Sequence, residues 1–170
     1  MANDDLIAHL LRVEIFQQLS LPQITMIARH AERIKFRAGD EITISGESAD
    51  AALLIVGGAA EWLDGPASID GREAIEIGSL IGEMSMFIDY IYGASIVARG
   101  PVKCLKITRE AMHELMLEDS SMAEILTAKI AQRLTRLADD LRAIDADFDE
   151  TLPDVLRAAP GDALAMPAHH

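Results

Sequence analysis

Between Gly82 and Ser95 the candidate site residues are Gly82, Glu83, Met84, Tyr92, Gly93, Ala94 and Ser95, which include a carboxylate, a phenol and a hydroxyl. Glu83 follows a glycine beside what reads as a short helix, where a carboxylate caps free backbone N–H groups. Tyr92 reads as a half-buried aromatic or as a platform for a flat ligand. Ser95 reads as a pocket hydroxyl or as an ordinary strand residue. From Leu80 to Ala98 there is no Lys or Arg, so an anion would find no cation nearby; the next is Arg99. No nucleophile elbow, P-loop or paired-carboxylate pattern occurs, and no enzymatic activity is expected.

The other chemistry-bearing side chains are scattered. The single cysteine, Cys104, lies in the apolar run Val102–Ile107 and reads as a buried small hydrophobe rather than a redox group. Alone, it excludes an intrachain disulfide and any multi-cysteine metal site. His9, His30 and His113 fall in helical stretches and the strand-rich centre holds none. That excludes the metal-binding cupin reading of a β-rich pattern and weakens a haem-sensor reading, so no metal is expected.

The elements that must position these residues follow from periodicity. The chain has 170 residues, half of them hydrophobic but only 4% aromatic, which gives one aliphatic core. About Leu6 to Ile34 reads as helical: Leu11, Ile15 and Leu19 recur every four residues, and Ser20 precedes Pro22 as a capping hydroxyl. From Lys35 the runs become short and β-branched. Glu41–Ser45, Ala51–Val56, Ala59–Leu63, Glu73–Ile77, Ser95–Ala98 and Val102–Ile107 are separated by turn residues such as Gly57-Gly58, Asp64-Gly65-Pro66 and Asp70-Gly71. Within them, Gly82–Tyr92 reads as a loop leading into a short helix. Thr108 can cap a helix from Arg109, and Asp119-Ser120-Ser121 breaks it and can cap another from Met122 to about Ile144. Met84, Met86, Met112, Met116 and Met122 read as adaptable core. On the last helix Ile130, Leu134, Leu137, Leu141 and Ile144 are spaced 4, 3, 4 and 3 residues apart, a seam that needs a cover. A symmetric homodimer is expected there. Residues 1–146 read as the domain, and 147–170, first acidic and then rich in Ala and Pro, as a flexible tail. No chemistry is assigned to His169-His170.

This order of elements resembles the cyclic-nucleotide-binding domain family, which includes Crp/Fnr-type sensors, protein kinase A regulatory subunits and cyclic-nucleotide-gated channels. The resemblance is carried by Ile15–Ser20, by Phe36-Arg37-Ala38-Gly39-Asp40-Glu41-Ile42 with Gly46-Glu47, by Gly58, and by Gly78–Phe87. It implies an α+β fold: an eight-stranded, jelly-roll-like β-roll flanked by N-terminal helices and a long C-terminal dimerisation helix. It also implies a phosphate-binding cassette that reads Gly-Glu, a short helix, then Arg-Ala-Ala-Thr-Val. In such a cassette Glu83 would hold a ribose hydroxyl, while Ala94 and Ser95 would stand for the second Ala and the Thr. Equal spacing puts Tyr92 where the family has the Arg that pairs with the phosphate. Losing one partner of a desolvated charge pair costs about 2–5 kcal/mol. A micromolar site would then weaken to between roughly tens of micromolar and millimolar.

The expectation is a non-enzymatic regulatory domain that binds cAMP, cGMP or another small ligand weakly or in altered form. The alternative is a ligand-free dimerisation or protein-interaction module. With 28 acidic against 15 basic residues the formal net charge is −13, which repels phosphate backbones. About 25 residues follow the long helix, too few and too Pro-rich for a recognition helix, so no direct DNA binding is expected. No secretory leader or membrane-spanning run is read, and the cytoplasm is the expected location.

Overall fold

The computed structural model describes residues 2–63 and 74–151. The turns read at Asp64-Gly65-Pro66 and Asp70-Gly71, and the tail from residue 152, lie outside them. Two units form, Met1–Ile130 and Ala131–His170.

The first unit opens with α1 (Ala2–Arg12), a 3-10 turn at Glu14–Phe16 and α2 (Leu21–His30). Asp4 and Asp5 in the first turn of α1, and His9 and Arg12 in the last, suit the helix dipole. The four-residue spacing of Leu11, Ile15 and Leu19 does not make one face. The helix ends at Arg12, buries Leu6 and Leu10, and leaves Leu11 exposed. Before α2, Gln23 Oε1 accepts from the Ser20 N–H at 2.9 Å, closing the start of the helix. α2 stops at His30. Residues 32–34, read as helix, instead belong to β1 (Glu32–Phe36), held by a five-residue ladder with β10.

Ten short strands follow among the described residues: β1, β2 (Glu41–Thr43), β3 (Ser48–Ala49), β4 (Ala51–Gly57), β5 (Ala60–Trp62), β6 (Ala74–Ile75), β7 (Leu80–Ile81), β8 (Tyr90–Ile91), β9 (Ile96–Ala98) and β10 (Val102–Thr108). They pair antiparallel in the orders β1-β10-β4-β7 and β2-β9-β5-β6, with β3-β8 as a small third ladder. The two four-stranded sheets account for the eight strands of a β-roll; the two-residue ladder is extra.

β4 reads as one continuous apolar run because both its faces are covered. Leu53 and Ile55 join Ile42, Ile81, Ile96 and Cys104 between the sheets. Ala52 and Leu54 join Leu105 and Ile107 of β10 under the helices, against Phe16, Ile24 and Met112. Gly58 (φ 92°) closes the turn after β4, where a Cβ would stand 2.2 Å from the Pro101 carbonyl oxygen.

Thr108 Oγ1 accepts from the Ala111 N–H at 3.1 Å and starts α3 (Arg109–Glu118). Asp119 Oδ1 accepts from the Met122 N–H at 3.0 Å and starts α4 (Ser120–Thr151). The Asp119 carboxyl is held below the usual carboxylate range, first by the hydrogen bond from Gln23. Gln23 Nε2 donates to both Asp119 and Ser121 and so ties α2 to the α3–α4 corner. α4 runs past residue 146, where the sequence reading ended the domain. Ile130 packs against the core of its own unit. Leu134, Leu137, Leu141 and Ile144 are exposed.

Candidate functional site

β7 delivers Gly82 in the left-handed region (φ 66°, ψ 39°), and a 3-10 helix, Glu83–Met86, begins at once. The helix therefore comes first, and Tyr90-Ile91 pair as β8 with β3. The sequence had suggested a loop before the helix and no strand. The segment is bound to the core at its buried residues: Met84, Met86 and Phe87 point inward, and the Ser85 N–H and Oγ–H both donate to Gly82 O.

A Cβ on Gly82 would lie 3.1 Å from Tyr92 Cε1. The phenol therefore sits directly over the glycine that opens the helix. The backbone of Tyr92 is fixed by Tyr92 N–H to Glu47 O (3.0 Å) and Gly46 N–H to Tyr92 O (2.8 Å). Its hydroxyl donates to Ala51 O at 3.4 Å, and the Tyr90 ring meets it edge-on at 6.4 Å. Burial pushes the phenol above its ordinary pKa, with Asp50 and Tyr90 adding to the shift. The group over the cassette is thus neutral at physiological pH.

Glu83 is half-buried at the first helical position. Gly93 is exposed, and the Ala94 carbonyl accepts from the Thr43 hydroxyl at 3.0 Å. Ser95 is buried, and its Oγ accepts from the Ser45 N–H at 2.9 Å, tying β2 to the approach of β9. Beside Gly82 opens a cavity of about 380 Å³ lined by Trp62, Ile75, Glu76, Ser79 and Ile81 among others. Among its described lining residues the only ionisable side chain is Glu76.

One cation does reach the segment, and sequence reading missed it. Arg109, the first residue of α3, donates from Nε to Ser85 O (3.0 Å) and from Nη2 to Ala49 O (2.8 Å), and its Nη1 pairs with Asp89. Its partners lie 20 to 60 residues away in sequence, and no local pattern marks it. The guanidinium fork is spent on joining the cassette helix, β3 and α3. Arg99 is committed to Glu61 on β5. Burial pushes the Cys104 thiol up to about 11, as befits a structural thiol. Among the described residues no group of three His, Cys, Asp or Glu could hold a metal, and no helix is long and apolar enough to cross a membrane.

Comparison with known proteins gives a consistent result. The family described as "Cyclic nucleotide-binding domain" matches residues 33–119. A solved cyclic nucleotide-binding-like protein from Brucella abortus is 30% identical, with a TM-score of 0.60 over 68% of this chain and 100% of that one. The N-terminal domain of a transcriptional regulator from Streptomyces coelicolor is 21% identical, with a TM-score of 0.69 over 78% of this chain and 94% of that one. The sensor domain of the transcriptional regulator DNR from Pseudomonas aeruginosa is 20% identical, with a TM-score of 0.60 over 81% and 94%.

Proposed function

The chain belongs to the cyclic nucleotide-binding domain family, and we propose that it is a regulatory sensor domain whose cassette binds ordinary cyclic mononucleotides weakly or not at all. The observation that carries this reading is the Tyr92 ring packed over Gly82, while among the described residues the cation that reaches the segment, Arg109, is bonded to Ser85, Ala49 and Asp89. Helix-end amides contribute only about 0.3–1 kcal/mol toward an anion, rising to about 2 when partly buried. That does not replace a buried charge pair. Solved regulators of similar fold include a named sensor domain, which supports a sensory role.

Output would pass through α4. Leu134, Leu137, Leu141 and Ile144 form an exposed apolar stripe, and a second copy of the same helix covers such a stripe in the manner of a coiled coil. A shift of the cassette would reach α4 through Arg109 and α3. Any such response requires a ligand with different affinity for two states. The packing of Tyr92 against Gly82 also favours a second reading, in which the cassette has closed and the domain only dimerises.

Thermal unfolding in the presence of cAMP, cGMP and cyclic dinucleotides tests the ligand half. A ligand at 100 times its Kd adds about 2.7 kcal/mol of stability. The sensor reading expects shifts only at high ligand concentration for the mononucleotides. No shift with any of these ligands at millimolar concentration favours the closed-cassette reading. Saturation in the nanomolar range overturns the weak-binding claim. Sedimentation equilibrium tests the other half. The wild type is expected to be a dimer and Leu137→Asp/Leu141→Asp a monomer. A monomeric wild type at tens of micromolar overturns it.

A further inference from the structure

A groove of about 540 Å³ lies on the opposite side of the β1-β10-β4-β7 sheet from the roll interior, bounded by α1, β1, β10 and β4. None of its lining residues belongs to Gly82–Ser95. Four cationic residues line it, Arg12, Arg33, Lys35 and Lys103, against one carboxylate, Asp5. In the whole chain acids outnumber bases 28 to 15, so the balance here is inverted.

The backbone register gives an independent reason to expect an anion. In the β1–β10 ladder Glu32 faces Lys106, an ordinary pairing of opposite charges, but Lys35 faces Lys103 directly. Like charges directly opposite on neighbouring strands are destabilising. Arg12, Lys35 and Lys103 make no ion pair among the described residues. Beneath the charged rim the lining is apolar, with Leu6, Val56 and Leu105. An inorganic anion would leave that floor wet, and an uncharged apolar ligand would leave the ammonium groups unused. The volume suits a small organic molecule.

We propose that this groove binds an amphipathic organic anion, with a carboxylate or phosphate head held between Lys35, Lys103 and Arg12 and an aliphatic body laid on Leu6, Val56 and Leu105. The head would remove the repulsion across the ladder and accept charge-assisted hydrogen bonds. The site is separate from the cassette and does not depend on whether a nucleotide binds there.

Calorimetric titration of the full chain with decanoate and decyl phosphate, each below its micelle concentration, tests the proposal. Saturable binding of at least one of the two, at one molecule per chain and weakening as salt rises, is expected. The uncharged decanol should bind at least about tenfold more weakly, as should decanoate to Lys35→Gln/Lys103→Gln. That double variant should melt no lower than the wild type, which keeps its loss of binding interpretable. The proposal is overturned by unchanged affinity in the double variant, by equal binding of decanol, or by failure of both anions to saturate. Capture on phosphatidylglycerol vesicles without any response to the free anions also overturns it and assigns the groove to a membrane surface.

Discussion

At the cassette, Gly82 turns the chain so that a short helix begins in the place of an anion cradle, yet the side chain above it is a neutral phenol. Under α1 the arrangement is reversed. Lys35 and Lys103 stand opposite each other across a ladder, and four cationic residues line the groove against one carboxylate. On the proposed readings, one region keeps the outline of a cassette under a neutral side chain, and the other gathers cations in a groove outside it. Family membership therefore locates a fold and a site outline, but which anion a site accepts depends on a few side chains. The cation that does approach the cassette, Arg109, is a structural clamp.

The largest test of this contrast is Arg109→Ala. It strips donors from the carbonyls of Ser85 and Ala49, both buried residues, and is expected to cost about 2–4 kcal/mol in chemical denaturation. Asp89→Asn should leave stability nearly unchanged, because Asp89 is fully exposed. The reverse ranking would mean that Arg109 serves mainly as a charge partner. Next is Cys104, which shares β10 with Lys103 but faces the roll interior. Its folded pKa is raised from 9.0 to about 11. Its stabilisation is therefore complete below pH 9 and lost as pH rises to about 11, a fall of roughly 2–3 kcal/mol. Cys104→Ala should remove that part of the slope when the two stability–pH curves are subtracted. A flat difference would mean that the thiol is open to the groove.

Gly82→Ala comes third. Left-handed strain costs of order 1–3 kcal/mol, and the new methyl would press on the Tyr92 ring. Combining it with Tyr92→Ala should cost less than the sum of the two single changes, as expected for groups in contact. Strict additivity would mean that the ring does not cover the glycine. The smallest effect belongs to the groove: Lys35→Gln should raise the melting temperature slightly, by about 0.2–1 kcal/mol in stability, by ending the opposition to Lys103.

Much of the fold could be read locally. The doubly buried strands β4 and β10 announced themselves as apolar runs, the side chains of Thr108 and Asp119 satisfy helix starts, and at Ser20 the backbone N–H is met by the Gln23 side chain. Errors arose where tertiary pairing overrode local pattern. Glu32–Ile34 looks helical but is claimed by the β10 ladder, and Tyr90-Ile91 becomes a strand only because β3 lies beside it. Ile130 fits the heptad spacing yet packs on its own unit, so the exposed stripe begins at Leu134. The short helix after Gly82 was legible, with Glu83 at its first position. The Arg109 clamp and the facing lysines were not, because both depend on contacts between residues far apart in the chain.

The central claim is that the cassette lacks only a cation over an otherwise competent backbone. Isothermal titration of cAMP into the wild type and into Tyr92→Arg measures this directly, because residue 92 already aims at Gly82. The account expects a wild-type Kd of roughly tens of micromolar or weaker and at least about thirtyfold tighter binding by the variant. A nanomolar wild-type Kd, or a variant no tighter than the wild type, would contradict it.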